Sequence, residues 1–368
     1  MRILVIVPWG QRLGGAEAML QMVLDGAAQS GHEFELVFLE HGAWPRELAA
    51  AGFTVHVVPA GRLRQAHRTL LAIPRLARIL RRSRPELILN WSAKTQLYGA
   101  PAAVLAGLSD RVVWWQQVIP RGHWVDRLAT ALPAVAVGCY SHAAADAQAR
   151  MFPSRPTFVV AAGTPVPVPG AGPAALALPA GVPVIGLVGR LQRWKGQDRL
   201  LRAQKLLAER GQRSQVLIVG GDSYGLEPEY AGSLKPLAES LGMASAVTMT
   251  GEVPDAGPFI ERMDVLVNAS DPEPFGIVLL EAMARGVAVA AVDSGGPAEF
   301  IEHGRTGVLA RSGEPADLAD ALEPLLRSPE KRWTIGAAGH ARFLEEFTDA
   351  AMRDRFFYQF KKLIDEKG

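Results

Sequence analysis

The sequence predicts an α/β protein with two domains, each a parallel sheet covered by helices on both faces. Short apolar runs alternate with segments of helical periodicity, which is the pattern of parallel strands joined by crossover helices. At 368 residues the chain is too long for a single ordinary core. A run rich in proline and glycine, 164–173, interrupts the alternation. We therefore expect a first domain over 1–164, a semi-rigid linker over 165–181, a second domain over 182–345 and a terminal helix over 346–368.

The composition is that of a globular protein, with 49% hydrophobic and 21% charged residues. The single cysteine, Cys139, excludes a disulfide framework and fits a reducing compartment. It lies in an apolar run, so a small buried core residue is a better interpretation than a nucleophile. No apolar stretch free of proline, glycine and charge is long enough to span a membrane, and the N-terminus is too short for a signal-peptide core. We expect a cytoplasmic protein.

Charge is divided unevenly along the chain. Residues 1–165 carry 17 Lys and Arg against 10 Asp and Glu, whereas the remaining residues carry 22 against 27. Such asymmetry predicts that the first domain meets something anionic.

Much of the excess positive charge of the first domain comes from the segment Arg62–Arg84, which holds eight arginines and no acid. Leu76 and Leu80 share one helical face, and Arg75 and Arg78 share another. A basic amphipathic helix of this kind can lie on anionic lipid, which would place the protein peripherally on the inner membrane face. A solvated helix that packs its apolar face on its own sheet is the favoured alternative, because every surface helix must bury such a face.

The first domain opens with a predicted strand Arg2–Pro8, a glycine-rich loop and a helix Ala18–Gln29, an order typical of nucleotide-binding α/β domains. The loop contains Gly14 and Gly15 but lacks the G-x-G-x-x-G fingerprint of dinucleotide sites. Paired glycines let backbone N–H groups approach a ligand closely, although a tight turn would also use them. Further strands are predicted at Phe34–Leu39, Phe53–Val58, Glu86–Asn90, Val112–Gln117 and Val135–Gly138.

The segment 111–124 combines aromatic and amide side chains at the end of a predicted strand. Aromatic faces and amides suit a sugar, through stacking and hydrogen bonds. Trp115, Gln117 and His123 are therefore candidates for contact with a sugar. At least one of Trp114 and Trp115 is expected in the core instead, and a loop histidine is usually only solvated.

The second domain begins with a buried strand that places Gly189 and Arg190 at its carboxyl end, and a short loop then brings Lys195 just before a helix. Two fixed cations beside a helix N-terminus are suited to hold a diphosphate. As isolated residues they could equally be ordinary surface cations. Further strands are predicted at Val216–Gly220, at Asp264–Asn268 and at Val287–Val292.

The most informative run, 268–286, passes from a strand through a loop into a helix. Two prolines and a glycine exclude regular structure in the loop, so Glu273 lies between strand and helix. Glu281 lies about one turn inside the helix that starts at Ile277.

Loops at the carboxyl ends of strands are where open α/β sheets bind ligands. The backbone N–H groups of Phe275, Gly276 and Ile277 would face an anion, and two nearby carboxylates would bind hydroxyls. A nucleotide sugar offers both, although each glutamate could instead be a solvated surface charge.

The segment Glu273–Glu281 resembles the E-x7-E signature of glycosyltransferase family 4, whose members are retaining enzymes with the GT-B fold. Gly-Gly-Ala-Glu from Gly14, Gly-Arg-Leu…Lys-Gly from Gly189, and Gly-Gly-x-x-Glu…Gly-x-Thr-Gly ending at Gly307 also resemble family segments. The resemblance implies two Rossmann-like domains with parallel sheets facing a central cleft. It also implies a last helix that crosses back to the first domain.

The resemblance further implies roles for single residues. Arg190 and Lys195 would bind the leaving diphosphate, and Glu273 would contact the donor sugar near the reacting carbon. Together these three would be the catalytic residues. The donor-binding residues implied in this way are Gly14, Gly15, Arg190, Lys195, Gly251, Val253, Glu273, Phe275, Gly276, Ile277 and Glu281.

The first domain would hold the acceptor, and Trp115, Gln117 and His123 are the candidates for contacting it. Family members often carry a histidine where this sequence has Gln117, and a glutamine cannot act as a general base.

The implied reaction moves a sugar from a nucleotide-diphosphate sugar to an acceptor hydroxyl of a glycan, glycolipid or small molecule, with retention. No Asp-x-Asp pair occurs in the sequence, and the two cations could neutralise the departing phosphate, so we expect no metal cofactor. No nucleic-acid partner is expected. Two other classes stay open, a nucleotide-sugar 2-epimerase of similar fold and a non-catalytic nucleotide-binding scaffold.

Overall fold

The computed structural model of the protein describes residues 1–12, 14–61, 66–168, 172, 174–222 and 225–366, and for residues 66–70 the backbone alone. The chain divides into two compact units, Met1–Ala162 with Ala350–Gly368 and Gly163–Asp349. Arg62 and Arg64 of the basic segment, and part of the predicted linker, lie outside the described residues. No helix in the described ranges is long and apolar enough to cross a membrane.

The first unit contains a seven-stranded sheet in the order β3-β2-β1-β4-β5-β6-β7, and every pair of neighbouring strands is parallel. Its strands are β1 Arg2–Val7, β2 Glu33–Phe38, β3 Thr54–Val57, β4 Leu87–Asn90, β5 Val112–Gln116, β6 Ala136–Cys139 and β7 Thr157–Val159. Its helices are α1 Gly15–Asp25, α2 Ala27–Ser30, α3 Ala43–Ala50, α4 Ala66–Ser83, α5 Ala93–Ala106, α6 Trp124–Ala131 and α7 His142–Met151, to which the C-terminal helix α15 Asp349–Asp365 adds.

Helix α15 packs its aromatic side into the first unit. Phe356 and Phe360 are fully buried. The Phe360 ring meets Phe158 of β7 edge-on at 5.9 Å, and the Phe356 ring lies 5.6 Å from Trp115 of β5. The last helix therefore contributes to the core of a unit whose other elements come from the first half of the chain.

The second unit contains a six-stranded parallel sheet in the order β10-β9-β8-β11-β12-β13. Its strands are β8 Val184–Val188, β9 Gln215–Val219, β10 Val247–Met249, β11 Val265–Asn268, β12 Ala288–Val292 and β13 Val308–Ala310. Its helices are α8 Gln197–Glu209, α9 Pro228–Ser240, α10 Gly257–Ile260, α11 Ile277–Met283, α12 Pro297–Phe300, α13 Pro315–Arg327 and α14 Pro329–Glu346.

The predicted α/β class with two parallel sheets is confirmed, and the predicted strands are present with ends that move by one or two residues. Three strands of three residues each, β7, β10 and β13, were not predicted, because so short a run shows no periodicity. The predicted helix Ala18–Gln29 is wrong in its bounds. It starts earlier, at Gly15, and is divided by Gly26 into α1 and α2.

Both sheets reverse their strand order once. In the second unit, β8, β9 and β10 follow one another toward one edge of the sheet. The chain then crosses back, and β11 pairs with the other side of β8. The loops after β8 and β11 consequently leave the sheet side by side and in opposite directions. Such a switch point is where open parallel sheets hold ligands.

Candidate active site

The switch point of the second unit brings together the residues that the sequence placed in two separate loops. The loop after β8 contains Arg190 and a short 3-10 turn, Arg193–Lys195, and the loop after β11 contains Glu273. The Lys195 ammonium lies 2.8 Å from Glu273 Oε2. Two of the three predicted catalytic side chains are thus in direct contact.

Glu273 is 6% exposed and its Oε2 also accepts a hydrogen bond of 3.1 Å from Asn268 Nδ2. Burial by itself would raise the pKa of Glu273, but the ammonium of Lys195 and the hydrogen bonds outweigh burial and lower it. Glu273 is therefore a buried carboxylate that is ionised at neutral pH. The Lys195 ammonium also lies 4.0 Å from the ring centroid of Trp194, a cation–π contact that orients it further.

Arg190 is held by its backbone rather than by its side chain. Its carbonyl accepts a hydrogen bond of 2.8 Å from Gln197 Nε2, and Gln197 in turn accepts one of 3.1 Å from the Tyr230 hydroxyl. The Arg190 guanidinium is half-buried and has no hydrogen-bond or ion-pair partner among the residues that the structure describes. It can therefore bind a ligand without breaking an existing contact.

Glycine backbone forms the carboxyl edge of the sheet next to these cations. Gly189 and Gly220, which follow β8 and β9, have φ of 152° and 137°, values that disfavour any side chain. A Cβ on Gly220 would lie 2.1 Å from the Gly189 carbonyl oxygen. Gly220 N donates a hydrogen bond to Gly251 O at 3.0 Å, so this edge of glycine backbone continues to the loop after β10. Glycine is therefore required at these positions by the backbone angles and by the close approach of the Gly189 and Gly220 backbones.

The loop after β12 supports the Glu273 loop from the other side. Gly296 N donates to Glu273 O at 2.9 Å, and a Cβ on Gly296 would lie 2.4 Å from Phe275 Cα. The Phe275 ring packs against Phe300 with a centroid distance of 5.1 Å. The position of Glu273 therefore depends on the absence of a side chain at Gly296.

Helix α11 begins at Ile277, as predicted, with Gly276 in the left-handed region at φ 96°. Glu281 is half-buried on this helix. Burial raises the pKa of Glu281 to about 7; Arg285 opposes this shift and Asp255 adds to it. Helix α10, which follows the loop after β10, packs against α11, and that loop holds the half-buried Gly251 and Val253.

The first-unit candidates are described separately, because they belong to the other compact unit. Gly14 and Gly15 are exposed at the start of α1. Gln117 is half-buried and donates to the Trp91 carbonyl, and His123 is exposed just before α6.

Trp115 requires a correction as an acceptor candidate. Its side chain is 0% exposed and stacks on Trp91 at 5.1 Å. Both Trp114 and Trp115 are core residues, because successive residues of a strand buried on both faces point into packed layers. Cys139 is also buried as predicted, and burial raises the pKa of its thiol to about 12, which leaves it unreactive.

Sequence reasoning missed Asn268, Trp194 and Gly296 as parts of the site. Asn268 ends a strand with an amide that its apolar neighbours cannot satisfy, and the Gly-Gly pair at Gly295 marks a close backbone approach. These were the available signals. In the ranges that the structure describes, no three His, Cys, Asp or Glu side chains come together as potential metal ligands.

Comparison with known proteins identifies the family. A model described as "Glycosyl transferases group 1" matches residues 173–342, and one described as "Glycosyl transferase 4-like domain" matches residues 14–157. Together they match most of the chain. The protein belongs to glycosyltransferase family 4.

Among curated relatives of this glycosyltransferase family member, the D-inositol 3-phosphate glycosyltransferase of Nocardia farcinica is 39% identical over 179 residues. That match spans 46% of this chain and 38% of the relative, so the chain spans less than half the length of such relatives. The lipopolysaccharide core biosynthesis glycosyltransferase LpsE of Rhizobium meliloti is 25% identical over 350 residues, which are 93% of this chain and 94% of LpsE.

Solved structures agree on the fold. HepE of Anabaena, solved in complex with UDP-glucose, is 24% identical with a TM-score of 0.81, covering 98% of this chain and 100% of HepE. Sucrose-phosphate synthase of Thermosynechococcus elongatus is 20% identical with a TM-score of 0.80, covering 99% of both chains. The protein has the GT-B fold of these enzymes.

Proposed function

We propose that this protein is a retaining, metal-independent glycosyltransferase that moves a sugar from a nucleoside diphosphate sugar to a hydroxyl of a saccharide acceptor. The observation that carries the proposal is the Lys195–Glu273 pair at the switch point, with Arg190 on the same loop as Lys195. It combines fixed positive charge for a diphosphate with a buried carboxylate for sugar hydroxyls.

Arg190 and Lys195 would hold the diphosphate and stabilise the charge that grows on it as the bond to the anomeric carbon breaks. Arg190 is free to turn toward the ligand, whereas Lys195 would divide its ammonium protons between Glu273 and a phosphate oxygen. Ionised Glu273 would accept hydrogen bonds from the donor sugar and stabilise positive charge developing at its anomeric carbon.

The remaining donor contacts would lie along the glycine edge. The base and ribose would lie against the backbone near Gly251 and Val253, with Glu281 accepting hydrogen bonds from ribose hydroxyls. The N–H groups of Phe275, Gly276 and Ile277 would add donors for the sugar and phosphates. Gly14 and Gly15 are proposed as donor contacts of the first unit.

The relatives guide the choice of substrates. HepE was solved with UDP-glucose, which makes UDP-sugars the first donors to test. LpsE, matched over almost its whole length, acts in lipopolysaccharide core biosynthesis, and the Nocardia relative is named for a phosphorylated cyclitol. We propose a hydroxyl-rich acceptor of this kind, with Gln117 and His123 as acceptor contacts in the first unit.

The test is turnover by the purified chain with UDP-, GDP-, ADP- and TDP-sugars, each with and without saccharide acceptors, in buffer with or without EDTA. We expect release of the nucleoside diphosphate that depends on acceptor and does not decrease with EDTA. Proton NMR of the product should show the anomeric configuration of the donor.

Each part of the proposal has its own contrary result. A changed donor sugar without acceptor would show an epimerase, and binding without turnover would show a scaffold. Loss of activity with EDTA that a divalent ion restores would overturn metal independence, and an inverted product would overturn retention.

A further inference from the structure

One face of the first unit is formed by three neighbouring helices, with α5 packed against both α4 and α6. We call it the α4–α6 face. Large apolar side chains are exposed on it, although side chains of this kind are usually buried. They are Leu71 of α4, Val104 and Leu105 of α5, and Trp124 and Leu128 of α6.

Helix α4 contributes mainly positive charge to this face. Its apolar side, including Leu76, Ala77 and Leu80, is buried in the core of the unit, as the favoured interpretation of the sequence expected. The opposite side presents exposed arginines and Leu71 to solvent. These arginines are Arg75, Arg78, Arg81 and Arg82.

Helix α6 contributes the large apolar groups. Trp124 is 66% exposed and Leu128 is 48% exposed, and their spacing of four residues places them on one side of the helix. Exposed Arg127 lies between them in sequence, and exposed Arg121 precedes the helix. The helix has one acid, Asp126, which is buried and accepts a hydrogen bond from Arg121 N at 3.1 Å.

The outward charge of the described residues of α4 and α6 is therefore entirely positive. Two exposed acids lie at the margins. Glu86 follows α4 and accepts a hydrogen bond from Arg2 N, and Asp110 follows α5. Neither belongs to the exposed sides of the helices that carry the arginines.

We propose that the α4–α6 face docks on an anionic lipid bilayer. Exposed tryptophan and leucine among arginines suit the bilayer interface, where an apolar body enters the headgroup region and guanidinium groups stay with the phosphates. An excess of arginine without exposed acid is complementary to anionic lipid. A nucleic acid would match the charge but would leave Leu71, Val104 and Leu128 without a role.

The docking surface lies within one unit and needs no substrate, so it is independent of the proposed transferase activity. It extends that activity if the acceptor is lipid-linked, since the first domain is the one expected to hold the acceptor.

The test is co-sedimentation of the full chain, without donor or acceptor, with vesicles of phosphatidylcholine alone or mixed with phosphatidylglycerol. We expect binding only to the mixed vesicles, and weaker binding at high salt. The double variant Arg75→Ser, Arg78→Ser should bind about 30-fold more weakly, since each basic residue near an anionic surface contributes a factor of about 5 to binding. Trp124→Ser with Leu128→Ser should weaken it about 10-fold or more.

Matched controls come from the second unit. Trp333 is 75% exposed on α14, and Arg202 and Arg213 are exposed, so Trp333→Ser and the double Arg202→Ser, Arg213→Ser variant should bind as the unchanged protein does. All substitutions are at exposed positions, and melting temperatures check that each variant is folded.

Three results would overturn the proposal. Equal binding to both vesicle types would show that binding does not depend on anionic lipid. Equal losses of binding in the control variants would show that the α4–α6 face is not the docking surface. A change from oligomer to monomer in the Trp124→Ser, Leu128→Ser variant, without loss of vesicle binding, would assign the face to contact between copies of the chain.

Discussion

The two glutamates of the candidate site are held in different charge states by their surroundings. Burial acts to raise the pKa of both, but Glu273 lies against the Lys195 ammonium, whereas Glu281 has only partial compensation from Arg285. The pKa of Glu273 is consequently lowered and that of Glu281 is raised to about 7. A ligand that binds ionised Glu281 therefore meets a residue that is close to its titration midpoint at neutral pH.

The raised pKa of Glu281 predicts that the stability of the protein depends on pH. Its folded pKa of about 7 is above the unfolded value of 4.5, so the folded state binds the proton more tightly between these values. Stability attributable to this group is greatest below pH 4.5 and falls as the pH rises to 7. Glu281→Gln should therefore stabilise the protein at pH 8 by about 1–3 kcal/mol and have little effect near pH 4.5. Thermal melts at both pH values test this.

Glu239→Gln is the matched control for that experiment, because Glu239 is exposed on α9. It should leave the melting temperature unchanged at both pH values. An equal melting temperature for Glu281→Gln and the unchanged protein at pH 8 would contradict the raised pKa of Glu281.

The sequence identified Arg190, Lys195 and Glu273 separately, but it could not predict that Lys195 and Glu273 touch. They are 78 positions apart, and their contact arises only because β11 returns to pair with β8. Conversely, Trp115 was proposed as a ligand contact because aromatic residues serve both cores and sugar sites. Burial, which decides between these roles, is a property of the assembled unit.

At the scale of whole elements, the position of Glu273 depends on the loop that follows β12. Gly296 has helical backbone angles that alanine also adopts, so an alanine there would act only through its Cβ. That Cβ would lie 2.4 Å from Phe275 Cα and would force one backbone segment to move. Gly296→Ala should therefore reduce turnover at least about 10-fold and lower stability by about 1–3 kcal/mol.

Gly232→Ala provides the comparison, because Gly232 is in helix α9 and a Cβ there meets nothing within 4 Å. It should preserve turnover and leave stability equal or slightly higher. If Gly296→Ala kept the donor affinity and turnover of the unchanged protein, the support that we assign to Gly296 would be wrong.

Elements long enough to show a hydrophobic pattern were predicted well, and strands of three residues were not. Long apolar runs such as β1 and β12 follow directly from the sequence, and so does the start of α11 after its glycine. The strands β7, β10 and β13, which were missed, have three residues each and depend on a neighbouring strand for their hydrogen bonds. The break between α1 and α2 at Gly26 is equally local. The apolar pattern continues across Gly26, so the sequence does not show the break.

At the scale of the whole molecule, the two units differ in composition as well as position in the chain. Apart from Gly14 and Gly15, the proposed donor contacts belong to the second unit, at the carboxyl edge of its sheet, where glycine backbone, two cations and two glutamates occur together. The first half of the chain carries the cationic excess, and in the structure part of that excess lies on the α4–α6 face. This division is consistent with one unit that holds a soluble donor and one that meets an anionic surface.

The most direct test of the donor site is calorimetric titration of UDP and UDP-sugars into the full chain and its Arg190→Ala variant. The Arg190 guanidinium has no partner in the described part of the chain, so its removal should leave the fold intact and change only what a ligand contacts. Loss of a charge-assisted contact with the diphosphate predicts binding about 10–100-fold weaker, while Lys235→Ala, at an exposed site on α9, should bind as the unchanged protein does. Equal nucleotide affinity for the unchanged protein and Arg190→Ala would contradict the proposed diphosphate site.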